Sequence, residues 1–203
     1  GSYIENPVDV YLRFNVNVGI NILDQFIPTN PLSMTEKGFG KDRKRGATTG
    51  IEKIVVDGIT IDSPEAVVEH MEKVIFPNTL KLISDFDEKK AVENIIATEC
   101  RAQAMLGPSI LKTGYGFVHF PYLRYGLYGY ANYFMAYALY PEIIEKDFSL
   151  RADLCEIMNR AAARAITEGR LPLLYRLDHD MADSRGTLAN IKSLEKIWLP
   201  HFE

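Results

Sequence analysis

Cysteine is scarce in this chain: only Cys100 and Cys155 occur, each inside a helical pattern and without metal-type spacing. That spacing argues against a cysteine-built metal site and predicts two buried thiols in a reducing compartment. No apolar run reaches membrane length and no secretory leader pattern is present, so the expectation is a cytoplasmic protein with no membrane partner. Positive charge is not in excess either. The formal net charge is −4, which argues against a general nucleic-acid binder, because phosphate contacts need a basic face. One basic cluster, Lys41-Asp42-Arg43-Lys44-Arg45, lies in the glycine-rich segment from Gly38 to Gly50 and reads as a solvated loop rather than a grip on an anionic substrate. The sequence shows neither an internal repeat nor a low-complexity segment, and Gly1-Ser2 reads as a cleavage scar.

What the chain does have is apolar surface to bury. Of its 203 residues, 47% are hydrophobic, enough for a substantial core in one large domain or part of one. Val8 to Val18 alternates apolar and polar side chains, the period of a strand. Residues 28–50, with Pro28, Pro31 and several glycines, are expected to form a long loop. Asp57-Gly58 between two β-rich runs predicts a hairpin across Glu52 to Ile61. Ser63-Pro64 supplies an N-cap and a first-turn proline for a helix to about Ile75. A second helix is expected from about Asp87 to Leu106, stopped by Gly107-Pro108, then a buried strand within Ile110 to Val118. The tyrosine-rich stretch Phe120 to Tyr140 has near-helical spacing and reads as core and helix contacts, not as a stacking platform. Pro141 to Glu168 is the clearest helix, with Gly169 as its C-cap. Leu171 to Leu177 then predicts a short buried strand, and Lys192 to His201 a last helix. Strands alternating with helices predict an α/β chain with βαβ units and a parallel sheet.

The chemically densest segment follows that last strand. Asp178, His179, Asp180 and Asp183 fall within six positions, and in parallel α/β folds ligands sit at strand carboxyl ends. One reading is a substrate or metal site; the other is a βα loop whose acidic residues cap the next helix. A strand continuing through the segment would put Asp178 and Asp180 on one face and His179 on the other, making His179 a packed or hydrogen-bonded histidine rather than a catalyst. The three aspartates also suit Mg2+ or Ca2+, which take oxygen ligands, although their spacing is permissive rather than diagnostic.

The run Gly129-Tyr-Ala-Asn-Tyr-Phe-Met-Ala-Tyr-Ala-Leu-Tyr-Pro141-Glu142, the long helix after it, and Asp178-His-Asp180 through Gly186 to Pro200 resemble the uroporphyrinogen decarboxylase superfamily. The resemblance covers about residues 105–203, and residues 52–104 loosely. It implies a (β/α)8 TIM barrel with its active site at the strand carboxyl ends, in a superfamily of decarboxylases and of cobalamin-dependent methyltransferases that act on small methylated compounds. A complete barrel takes at least about 200 residues and typically about 250, whereas only three or four strand–helix units follow an irregular amino-terminal loop and hairpin region. The chain stops in the middle of a helix at Leu199 to Glu203. The expectation is therefore a single domain that is the amino-terminal part of a barrel, truncated and inactive by itself. Its exposed strand edge would aggregate or pair, a homodimer being one way to cover it.

By this resemblance Asp180 and Asp178 are the catalytic candidates, Asp180 first, at a strand end facing the cavity. Tyr125, four residues before Gly129, falls near the tyrosine that contacts substrate in the decarboxylases. His179, Asp183 and Arg13 join it as substrate-binding candidates. The decarboxylase signature Arg-x-x-Gly-Arg-Tyr is missing: the corresponding segment reads Leu12-Arg13-Phe14-Asn15-Val16-Asn17, and only Asp24 stands near the position of their essential aspartate. A substrate with several carboxylates needs several buried cations, so the methyltransferase branch leads, moving a methyl group from a small substrate to a corrinoid or thiol. The zinc of that branch, held by His and Cys, would have its ligands beyond Glu203. No cofactor is thus expected within this chain, and a corrinoid protein is the expected partner beside the small-molecule substrate. Where many members open the final helix with Ser-Pro, this chain has Asn190-Ile191, and Asn190 can still act as an N-cap. Two alternatives stay open. One is cofactor-free uroporphyrinogen decarboxylation in porphyrin and heme biosynthesis; the other is a non-catalytic interaction module contacting partners through Phe120 to Tyr140 and the basic loop.

Overall fold

The computed structural model describes residues 5–26, 54–184 and 186–202. The basic cluster at 41–45 and the whole of the loop expected over 28–50 lie outside the described residues. The chain divides into two units, residues 1–44, 88–118 and 159–177 in the first and residues 45–87, 119–158 and 178–203 in the second.

In the first unit, helix α1 (Pro7–Asn17) replaces the strand expected over Val8 to Val18. Local chemistry overrides the alternating pattern. The Asn6 side chain accepts from the Asp9 N–H at 3.3 Å, Pro7 occupies the first turn, and Asp9 pairs with Arg13 one turn on. Phe14, Val16 and Val18 are left exposed, while the buried residue is Asn15, whose Nδ2 donates to the Tyr11 carbonyl at 2.7 Å.

Strand β1 (Ile22–Leu23) runs parallel to a later segment, Leu111 to Tyr115. The Thr113 N–H donates to the Leu23 carbonyl and the Gly114 N–H to the Leu174 carbonyl, both at 2.9 Å. Its two halves thus pair with different parallel partners, Leu111–Lys112 with β1 and Gly114–Tyr115 with Tyr175–Arg176. Helix α2 (Glu88–Leu106), one of the two long helices expected, ends at Gly107, whose φ of +71° suits glycine. Gln103 near its end accepts from the Lys112 N–H at 2.8 Å and donates to the Gly107 and Ile110 carbonyls. The strand expected within Ile110 to Val118 is thus held as two short pieces, Leu111–Lys112 and Gly114–Tyr115. The strand expected over Leu171 to Leu177 shrinks to Tyr175–Arg176, and it is not buried: Leu173, Leu174 and Leu177 are exposed, because no described element covers these side chains.

The helix Pro141–Glu168 has the limits its pattern predicts, and its carboxyl half buries Ala161, Ala162 and Ala165 in the first unit. Its end is different in detail. Arg170, not Gly169, takes the left-handed φ of +50°. Glycine is needed at 169 for space, since a Cβ would stand 2.8 Å from the Ala165 carbonyl oxygen and 2.8 Å from Ile96 Cγ1. Gly169→Ala should therefore lower stability by about 1–3 kcal/mol, the usual cost of overpacking, read from urea denaturation.

The second unit begins with the expected hairpin, Ile54–Val56 against Ile59–Ile61, in which Asp57 (φ +49°) and Gly58 (φ +81°) make the two-residue turn. A helix then starts at Pro64, with Ser63 Oγ accepting from the Ala66 N–H at 3.2 Å. It does not stop near Ile75. It passes through a wide π turn, Met71–Ile75, and continues as Phe76–Ser84. Pro77 explains the widening, because it cannot donate to the carbonyl four residues back and its ring needs room there. The tyrosine-rich stretch forms two helices, Tyr125–Tyr128 and Tyr130–Leu139, and buries Tyr128, Tyr133 and Tyr137 in a core with Val67, Met71 and Phe148. Buried His70 ties hairpin to core, with Nδ1 at 2.9 Å from the Tyr128 hydroxyl and Nε2 at 3.0 Å from Asp57 Oδ2. The last elements are an antiparallel pair, Ala182–Asp183 with Gly186–Thr187, helix Ile191–Ile197 and a 3-10 turn, Leu199–His201, so the helix expected over Lys192 to His201 is broken at Trp198. Asn190 caps that helix by accepting from the Lys192 N–H at 2.9 Å.

The class is mixed α/β, dominated by helix, and among the described residues the strands form two-stranded pairs that close no barrel. No described helix is long and apolar enough to cross a membrane. Cys100 is exposed and Cys155 half-buried, so neither cysteine is the fully buried thiol expected.

Candidate functional site

Two segments remote in sequence, 120–125 and 178–182, meet around the imidazole of His179 in the second unit. The Leu123 N–H donates to His179 Nε2 at 3.0 Å. The Tyr125 ring stacks on the imidazole at 5.7 Å and 22°, with Phe120 and Tyr122 at 6.1 and 5.9 Å. The Tyr125 hydroxyl donates to the Asp180 carbonyl at 2.7 Å, and Asp180 Oδ1 accepts from the Ala182 N–H at 3.3 Å. Trp198 Nε1 donates to the Pro121 carbonyl at 2.8 Å and so anchors the first segment to the end of the chain's last helix.

Of the residues singled out in the sequence, Tyr125, His179 and Asp180 are thus neighbours. Asp178 is exposed in the same segment; Asp183 lies in a strand, its side chain outside the described residues. Arg13 belongs to the first unit, where it is exposed and paired with Asp9. Asp24, in that same unit, is 2.6 Å from Arg176 Nη1. Strand pairing stops at Arg176, so the alternation that would have put Asp178 and Asp180 on one face does not operate here.

Because Nε2 accepts from Leu123, the neutral ring carries its proton on Nδ1. Burial, and then the positive charge of Arg151, push the His179 pKa below its ordinary value, outweighing Asp180 and Asp178, which raise it. The imidazole is therefore a neutral Nδ1–H donor near pH 7 rather than a charged acid. Burial, with Tyr130 and Asp180, pushes the Tyr125 hydroxyl up, which keeps it a donor.

A sign follows for stability. Unfolded chains protonate histidine near 6.5, whereas folded His179 takes its proton only at lower pH. Its contribution is present above 6.5 and lost as pH falls through the folded value. Wild type should lose stability in that direction, and less of it in His179→Gln, measured by urea unfolding across pH.

Beside this cluster lies a set of charges that the sequence reading missed. Arg124 Nε and Nη2 clamp the two oxygens of Asp147 at 2.8 and 2.9 Å, and Asp147 is 1% exposed. Arg151 Nη1 is 3.7 Å from Asp147 and 2.5 Å from the Tyr122 carbonyl, with its guanidinium 3.5 Å over the Tyr122 ring. Burial pulls Arg124 down, but hydrogen bonding to Asp147 and that residue's charge hold it above its ordinary value. Arg151 is pulled down by burial and by the like charge of Arg124. The signal for this set was present in the long helix: Asp147 and Arg151 share the buried stripe with Ile144 and Phe148.

Among the described residues no three His, Cys, Asp or Glu side chains converge on one point. Comparisons with protein-family models, with curated proteins and with solved structures gave no match to this chain.

Proposed function

We propose that this chain is the amino-terminal part of a (β/α)8 barrel of the uroporphyrinogen decarboxylase type, and that it works in the methyltransferase branch. The observation that carries the reading is the meeting of Tyr125 with His179 and Asp180, three substrate-site candidates drawn from two distant segments. Two short parallel strand pairs are in keeping with it. Parallel segments at 22–23, 111–115 and 175–176 are joined through helices, as successive strands of such a barrel would be. In the chain, the carboxyl ends of the last two lead into 119–125 and 178–182.

His179 Nδ1–H would donate to an oxygen of the substrate, while the Asp180 and Asp178 carboxylates accept from it or balance positive charge on a methylated centre. The rings of Tyr125, Tyr122 and Phe120 would shield the complex from water. The corrinoid or thiol acceptor would be brought by a partner. Uroporphyrinogen decarboxylation ranks second, since a polycarboxylate needs several cations and, among the described residues, the two buried arginines beside the cluster, Arg124 and Arg151, already share Asp147. A contact module ranks third, because Tyr128, Tyr133 and Tyr137 are committed to the core.

The test is methyl transfer by the complete gene product, supplied with cobalamin in its reduced form and with methanol, methylamines, methylthiols or methoxyarenes in turn. Appearance of the methyl group on the corrinoid is expected with one of these. Release of carbon dioxide from uroporphyrinogen without corrinoid would select the decarboxylase instead.

A further inference from the structure

We propose that the second unit holds a binding site for a small carboxylate with an apolar tail, in the cavity between helix Phe76–Ser84 and the amino half of Pro141–Glu168. The inference does not rest on the reaction proposed above. The cavity measures about 330 Å³, within the range of small-molecule sites. Arg151 lines it, together with Leu82, Leu154 and Met158 as apolar wall and Asn78 and His119 as polar wall.

Charge balance points to the ligand. Two guanidinium groups, Arg124 and Arg151, face one carboxylate, Asp147, and all three are largely removed from water. Arg124 clamps both oxygens of Asp147 at close range. Among the described residues, Arg151 has a long 3.7 Å approach to Asp147, a hydrogen bond to the Tyr122 carbonyl and the face of the Tyr122 ring, with no carboxylate at hydrogen-bond distance. A guanidinium has five N–H donors in a planar fork that matches a carboxylate. A side chain 7% exposed with one unit of surplus positive charge is costly unless an anion shares its site. One surplus charge matches a monoanion; a phosphate monoester, at about −1.5 to −2, would overshoot it. The apolar wall suits a short hydrocarbon body, which a free inorganic anion would leave unfilled.

Calorimetric titration with hexanoate, hexanamide and inorganic phosphate tests this. The unsubstituted protein should bind hexanoate at least tenfold more tightly than hexanamide, which keeps the tail and lacks the charge, and should not bind phosphate comparably. Arg151→Met should weaken hexanoate at least tenfold. Leu154→Trp, which fills the cavity and keeps Arg151, should do the same, with circular dichroism reporting whether either variant folds. Absence of hexanoate binding, equal binding of acid and amide, phosphate binding as tight as hexanoate, or a folded variant that binds as wild type would each overturn the proposal. The acid–amide comparison needs no variant, so it decides even where substitutions unfold the chain.

Discussion

Asp147→Asn should destabilise the protein by about 3–5 kcal/mol, the cost of breaking a buried ion pair from one side. Asp147 is 1% exposed and is the carboxylate that both Arg124 and Arg151 approach. An asparagine keeps the shape and removes the charge, leaving two buried cations facing each other. The exposed residue Asp153 on the same helix provides the control, and Asp153→Asn should stay within about 0.5 kcal/mol of wild type. Urea denaturation of the two variants gives the comparison. A cost below about 1 kcal/mol at Asp147 would mean that water already solvates the arginines.

Glu99→Gln should have a comparable effect in the first unit. Lys112 Nζ lies 2.7 Å from Glu99 Oε2 and 2.6 Å from the Thr113 carbonyl, with the two side chains 7% and 10% exposed. Losing the carboxylate leaves an ammonium in a site too buried to hydrate it, at about 3–5 kcal/mol. Removing both charges in Glu99→Leu with Lys112→Met should recover most of the loss, because a buried pair stabilises little relative to apolar residues of similar volume. Additive losses in the double variant would show that the pair contributes through its packing and not its charge.

Features set by a few adjacent residues were legible in the sequence. Asp57-Gly58 can adopt the two positive φ values of a tight hairpin, Ser63 and Asn190 can cap the helices that follow them, and an apolar stripe defines Pro141–Glu168. Where two local signals competed, pattern alone misled. Val8 to Val18 alternates like a strand, yet Asn6, Pro7 and the Asp9–Arg13 pair close a helix there. Strand extent was not legible, because it depends on which edges find partners: Leu171 to Leu177 is apolar enough for a buried strand, but among the described residues its pairing is confined to Leu174 to Arg176. The π turn was hidden for a similar reason, since Pro77 could equally have ended the helix. In the candidate site, residue types drew attention to Asp178, His179 and Asp180, but the Leu123 N–H that fixes the tautomer is a backbone group that no side-chain pattern reveals. Asp147 and Arg151 could have been found as charges on an apolar helical stripe, the position where a charge needs a partner.

In the proposed function Tyr125, His179 and Asp180 form a substrate site. It is tested most directly by kcat/KM of Asp180→Asn and His179→Gln in the methyl-transfer assay, with unfolding midpoints measured alongside. Each loses a hydrogen bond to substrate that involves a charge or a buried donor, worth about 1.5–3 kcal/mol, so kcat/KM should fall at least about tenfold while the protein stays folded. Wild-type turnover in both folded variants would contradict the account.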